Sequence, residues 1–108
     1  MTYTVSIEQT ITVTHSLMMQ EIPTHSHTWR VRVWIEAPGI GSSTKMSMNM
    51  DHLKPIVAKV LDPLDGMNLN TKWKVPTTEV VAGYILESIE PICRVRITDE
   101  LNREVEAF

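Results

Sequence analysis

Polar and apolar residues alternate from Thr2 to His15, with Tyr3, Val5, Ile7, Ile11, Val13 and His15 at odd positions and Thr2, Thr4, Ser6, Glu8, Thr10, Thr12 and Thr14 between them. A period of two is that of a half-buried strand, so this stretch predicts a first β-strand with its odd residues inward. The alternation resumes from His25 to Glu36, with His25, His27, Trp29, Val31, Val33 and Ile35 on one face and Ser26, Thr28, Arg30, Arg32, Trp34 and Glu36 on the other. It predicts a second strand, antiparallel to the first. The connection from Ser16 to Thr24 carries Met18, Met19, Gln20, Glu21 and Pro23, is too long for a tight turn, and has room for functional groups.

A turn-forming stretch from Ala37 to Ser43 is followed by a change of period. Leu53, Ile56, Val57, Val60, Leu61 and Leu64 recur at steps of three and four, which predicts a helix with this stripe buried. Pro55 is expected near its first turn, because a proline further inside costs about 3 kcal/mol. A loop from Asp65 to Pro76 leads to a second helical stripe of Val80, Val81, Tyr84, Ile85 and Ile89, with Pro76 and the following threonines as its start. Cys93, Val95, Ile97 and Asp99 then alternate with Arg94, Arg96 and Thr98, and Asn102 to Phe108 closes the chain. These read as two short strands joined near Glu100, Leu101 and Asn102, with Cys93 a core residue.

The order β-β-α-α-β-β predicts an α+β fold, one four-stranded antiparallel sheet with two helices over one face. The Thr- and Arg-rich even faces are left uncovered, and two free sheet edges favour closure with further copies into a ring-shaped homo-oligomer. With 108 residues the chain is one domain, 1–108, without repeat or linker. Its 43% hydrophobic and 21% charged residues describe a soluble globular protein, and no apolar run reaches membrane-spanning length. The net charge of −3 argues against nucleic acid as a partner but is compatible with a small anionic substrate. One cysteine excludes an intrachain disulfide and, with a start that lacks a signal sequence, leads us to expect a cytoplasmic protein.

Three of the four histidines, His15, His25 and His27, share the odd, inward parity of two adjacent strands. Residues two apart on a strand leave the same face, so His25 and His27 can form a cluster with His15 across the pair. Three neutral imidazoles with a fourth position open are a usual set for catalytic zinc. Strand-end histidines satisfied by hydrogen bonds fit the spacing equally well. His52, at the start of the first helix, reads as an exposed helix-end residue, and Met46, Met48 and Met50 read as packing.

Taken in order along the chain, His15, His25-Ser26-His27, Met48-Asn49-Met50-Asp51-His52-Leu53-Lys54, Pro63-Leu64-Asp65 with Asn68-Leu69, Thr77-Thr78-Glu79 and Val95-Arg96-Ile97-Thr98-Asp99 resemble the pattern of one family. It is the 6-pyruvoyl-tetrahydropterin synthase and 6-carboxy-tetrahydropterin synthase family. The resemblance implies the tunnelling fold, in which subunit sheets join into barrels that stack, here as a hexamer of two trimers. It implies zinc on His15, His25 and His27 and a lyase acting on 7,8-dihydroneopterin triphosphate or a related pterin. It aligns Asp99 with the carboxylate that anchors the pterin ring, a glutamate in the family, with Glu100 as the rival. Thr77, Thr78 and Glu79 align with a further ring-contacting segment, although they also read as an ordinary helix N-terminus.

Two positions depart from the family pattern. Glu21 stands four residues before His25 where the family has its catalytic cysteine, and Gly66 stands where the histidine of an Asp-His pair is expected, leaving Asp65 without it. The catalytic expectation therefore falls on Glu21, as a general base, and Asp65. The stretch from Glu21 to His25 is similar to a subtype with Glu for Cys that cleaves the side chain to give 6-hydroxymethyl-7,8-dihydropterin. From the residues alone Glu21 reads equally as a solvated loop carboxylate, and the two departures also suit a non-catalytic zinc- and pterin-binding homologue.

Overall fold

The computed structural model describes residues 3–17, 24–37, 50–89 and 92–108, the side chains of Ala37 and Cys93 excepted. Strands β1 (Tyr3–His15) and β2 (His25–Ala37) pair antiparallel without interruption from Tyr3 against Ala37 to His15 against His25. Helices α1 (Met50–Leu61) and α2 (Thr78–Ser88) follow, with two short 3-10 turns between them at Asp62–Leu64 and Leu69–Thr71. Strands β3 (Ile92–Thr98) and β4 (Glu104–Ala107) complete a four-stranded antiparallel sheet in the order β1-β2-β3-β4. This is the α+β arrangement that the periodicities predict.

The inward parity is as expected. Ile11, Val13, Trp29, Val31, Val33, Ile35, Val95 and Ile97 of the sheet form one buried core with Leu53, Val57 and Leu61 of α1 and Val81, Ala82 and Ile85 of α2. Each fully buried aliphatic or aromatic side chain contributes roughly 1.5–3 kcal/mol relative to exposure. The predicted helical stripes are too wide. Ile56 is 48% and Val80 40% exposed, because each helix rests on the sheet along a single line of residues and their immediate neighbours, turned about 100° away, stay outside it. Pro55 is the sixth residue of α1 rather than part of its first turn. The packing of Leu53, Val57 and Leu61 holds the helix across the missing N–H.

Opposite β3 the register shifts between Trp34 and Ile35, which face Arg94 and Ile92, so Cys93 is the extra residue of a bulge and the alternation breaks there. The expected core role of Cys93 concerns a side chain outside the described set. The face of the sheet opposite the core is laced by charge. Arg94 donates to Glu106 from Nε and Nη2 at 2.8–3.1 Å, Arg32 donates to Ser6 at 2.8 Å, and Arg94 and Arg96 lie over Trp34 at 4.5 and 5.1 Å.

One part of the fold prepares the site. The outer edge of β1 near His15 is closed by the loop after α1: Gly66 N–H donates to the Thr12 carbonyl at 2.6 Å, Thr14 N–H to the Met67 carbonyl at 3.0 Å, and Ser16 N–H to Asn70 Oδ1 at 2.7 Å. Gly66 makes this turn at φ 80°, a left-handed backbone that glycine adopts freely. Further along the same edge, the backbone groups of Thr4, Ser6, Glu8 and Thr10 have no partner among the described residues.

Candidate metal centre

His15 ends β1 and His25 begins β2 directly across from it, while His27 leaves the same face two residues on. The three ring centroids lie 4.7–5.0 Å apart, and one ligand nitrogen from each ring lies within 4.8 Å of the others. His15 is only 4% exposed, and its Nδ1 is 2.9 Å from the carbonyl of Pro76, just ahead of α2. His27 Nδ1 is 2.8 Å from Glu100 Oε1. A carbonyl or carboxylate oxygen can only accept, so both Nδ1 atoms carry the proton and both Nε2 atoms present a lone pair. His15 Nε2 lies 3.1 Å from His25 Nε2, a contact in which His25 is the donor when His15 Nδ1 carries its proton toward Pro76.

Burial pushes the His15 imidazole below its usual value, and the neighbouring His25 and His27 push the same way, against the Pro76 hydrogen bond. A buried imidazole kept neutral among two others is suited to a cation rather than to protons. Tetrahedral zinc with Zn–N bonds of 2.0–2.1 Å has ligand atoms about 3.3 Å apart. His15, His25 and His27 are close enough together to hold a metal ion, and a set of three imidazoles is of the kind that suits zinc.

The histidines open onto a cavity of about 400 Å³. Its wall also takes in Leu17, Trp29, Thr78, Asp99 and Arg103. Trp29, buried beneath the cluster, lies near-parallel to His27 with centroids 6.2 Å apart. The parity that groups the histidines extends to Trp29, two residues past His27. Pro76 contributes only a backbone atom from 61 residues away, for which no side-chain pattern gives a signal.

The other residues singled out from the sequence divide into groups. Thr78 and Asp99 line the cavity. Thr77 caps α2, its hydroxyl accepting from Val80 N–H at 3.2 Å, and Glu79 is exposed in the first turn of that helix. Asp65 is exposed and is not among the side chains of the cavity wall; its Oδ1 accepts from Thr12 N–H at 2.8 Å. Glu21 lies outside the described residues. His52 is exposed, as expected.

Both candidate ring anchors are already engaged. Asp99 Oδ1 accepts from the N–H groups of Leu101 and Arg103 at 2.9 and 3.0 Å, and Oδ2 from Arg103 Nε at 2.7 Å. Burial alone would raise this carboxyl, but the hydrogen bonds and charge of Arg103 with the Leu101 N–H outweigh it and hold the group below its usual value. Glu100 Oε2 accepts from Thr28 N–H at 3.3 Å while Oε1 meets His27. The Glu100 carboxyl is likewise lowered, first by its own backbone N–H and then, against burial, by His27 and Thr28.

A family model described as 6-pyruvoyl tetrahydropterin synthase matches residues 4–106. Among solved structures, the chain is similar to the 6-pyruvoyl tetrahydropterin synthase of Caenorhabditis elegans, with a TM-score of 0.83 at 19% identity over 98% of this chain and 94% of that one. An uncharacterized protein from Wolinella succinogenes gives 0.77 at 15% identity over 100% and 98% of the two chains. The 6-pyruvoyl tetrahydropterin synthase of Plasmodium falciparum gives 0.52 at 19% identity over 98% of this chain and 61% of that one. Among curated proteins none matches this sequence. At these identities the structural likeness shows the fold alone.

Proposed function

Since the chain belongs to the 6-pyruvoyl tetrahydropterin synthase family, we propose that it is a zinc-dependent lyase acting on 7,8-dihydroneopterin triphosphate or a related pterin. The observation that carries this reading is the cluster of His15, His25 and His27, whose ligand atoms lie within 4.8 Å of one another at a 400 Å³ cavity. These three would hold the metal, which when bound supplies Lewis acidity at a substrate hydroxyl.

The chain's own groups divide the remaining work. Pro76 and Glu100 keep the rings of His15 and His27 aimed by accepting from their Nδ1 atoms. Trp29 supplies an apolar floor that excludes water. Thr78 and Asp99 are the groups on hand for the donor edge of a pterin, with Asp99 exchanging the Arg103 side chain for the ring. Glu21 stands in sequence between Leu17 and His25, both of which line the cavity, and we assign it the role of general base. A glutamate there in place of a thiol favours the related cleavage to 6-hydroxymethyl-7,8-dihydropterin as the second reading.

The outer edge of β1 from Thr4 to Thr10, without a backbone partner among the described residues, supports a homo-oligomer closed edge to edge, for which the family suggests a hexamer of two trimers. The single cysteine supports a cytoplasmic setting. The test is metal content together with substrate consumption in tag-free protein. The reading requires one zinc per chain, lost in His25→Ala along with turnover. Wild-type protein without zinc, and equal to His25→Ala, contradicts it. Zinc and pterin bound without any change in the pterin would mark a non-catalytic homologue instead.

A further inference from the structure

β3 ends at Thr98, which faces Arg30 of β2. Two more pairs in this register would set the backbone of Glu100 against Thr28, but the chain turns away into β4. Asp99 builds that turn. Its N–H donates to the Arg103 carbonyl at 2.9 Å, its carbonyl accepts from Asn102 N–H at 3.0 Å, and its carboxylate takes the N–H groups of Leu101 and Arg103. Asn102 completes the three-residue loop in the left-handed region at φ 62°. The loop leaves Thr28 N–H without a backbone partner from β3, and the side chain of Glu100 reaches back to supply one. One carboxylate oxygen closes the ladder at Thr28 while the other meets His27 Nδ1 at 2.8 Å.

We infer that Glu100 is a positioning residue for His27, and that Asp99 acts with it by fixing the turn that carries it. The inference rests on the metal-site reading of His15, His25 and His27. A carboxylate on Nδ1 sets the tautomer, fixes the ring about its Cβ–Cγ bond and makes Nε2 a better donor to a cation. Two consecutive residues of β2 are held by one side chain, so the carboxylate cannot follow a turning ring without giving up the bond to Thr28. This differs from a ring-anchoring role, in which the carboxylate would have to leave His27 to meet a substrate.

The experiment is zinc affinity, measured by competition with a chromophoric chelator, for wild-type protein, Glu100→Ala and Glu100→Gln. The cobalt(II) absorption spectrum of each serves as a second readout of coordination. Glu100→Ala is expected to weaken zinc by about 10- to 100-fold and to alter the cobalt spectrum. Glu100→Gln keeps an accepting oxygen and is expected to fall between the two. A merely structural role for Glu100 would lower the thermal midpoint of chelated protein and leave affinity and spectrum as in wild type, which overturns the inference. Unchanged zinc affinity in both variants with lost binding of 7,8-dihydroneopterin triphosphate also overturns it, in favour of substrate anchoring. Wild-type protein that takes up no zinc overturns the metal-site reading itself, and the inference with it.

Discussion

His15 and Pro76 are joined by a buried hydrogen bond of 2.9 Å, which ties the last residue of β1 to the segment that enters α2. Replacing His15 by alanine removes a candidate metal ligand and also leaves the Pro76 carbonyl without its donor. An unsatisfied buried acceptor costs about 1–3 kcal/mol. Chelated His15→Ala should therefore unfold at a lower temperature than chelated wild type. Equal midpoints would mean that the bond contributes nothing to the fold.

The stability of chelated protein should fall in acid in two windows. The His15 imidazole is lowered from 6.5, so the unfolded chain takes up this proton first and stability drops as pH falls below 6.5 toward the folded value. Asp99, Glu100 and Glu106 are lowered from 3.8, 4.5 and 4.5, so their stabilisation is present above those values and is lost as pH falls through the folded ones. Glu106 owes its shift first to hydrogen bonds from Arg94, so Glu106→Gln should flatten the lower window. Thermal midpoints from pH 8 to 3 check this, and a curve rising toward acid would contradict the assignment.

Asp65 can be separated into its two candidate roles by paired variants. Asp65→Asn retains an oxygen for Thr12 N–H, whereas Asp65→Ala does not and should cost about 1 kcal/mol. If Asp65 only closes the edge of β1, Asp65→Asn keeps both stability and turnover. Lost turnover at wild-type stability would assign the carboxylate to the chemistry.

Gly66 has φ 80° and open space, with nothing within 4 Å, where a Cβ would stand, so a side chain there meets strain but no clash. Gly66→His, which introduces the residue of the family pattern, should lose about 1–2 kcal/mol by denaturant unfolding. An unchanged midpoint would show that this turn accommodates left-handed geometry in any residue.

The parts of the fold that rest on short-range periodicity are legible in the sequence. Both long strands, their inward faces and the shared face of His15, His25 and His27 follow from a period of two. What periodicity misses arises from contacts distant in sequence. The bulge at Cys93 depends on how β3 meets Trp34 and Ile35, and the exposure of Ile56 depends on the angle at which α1 rests on the sheet. The commitment of Glu100 to His27 spans 73 residues and depends on a turn built by Asp99 and Asn102. Parity aims Asp99 at the cavity correctly, but it cannot foresee that Arg103 and the loop backbone engage the carboxylate.

The central claim is most directly tested by incubating zinc-loaded protein with 7,8-dihydroneopterin triphosphate, with and without chelator, and identifying the products by mass spectrometry. The account predicts conversion that chelation abolishes, to a 6-pyruvoyl or 6-carboxy pterin or, if Glu21 directs cleavage, to 6-hydroxymethyl-7,8-dihydropterin. Substrate recovered unchanged from zinc-loaded protein, or conversion indifferent to chelation, would contradict it.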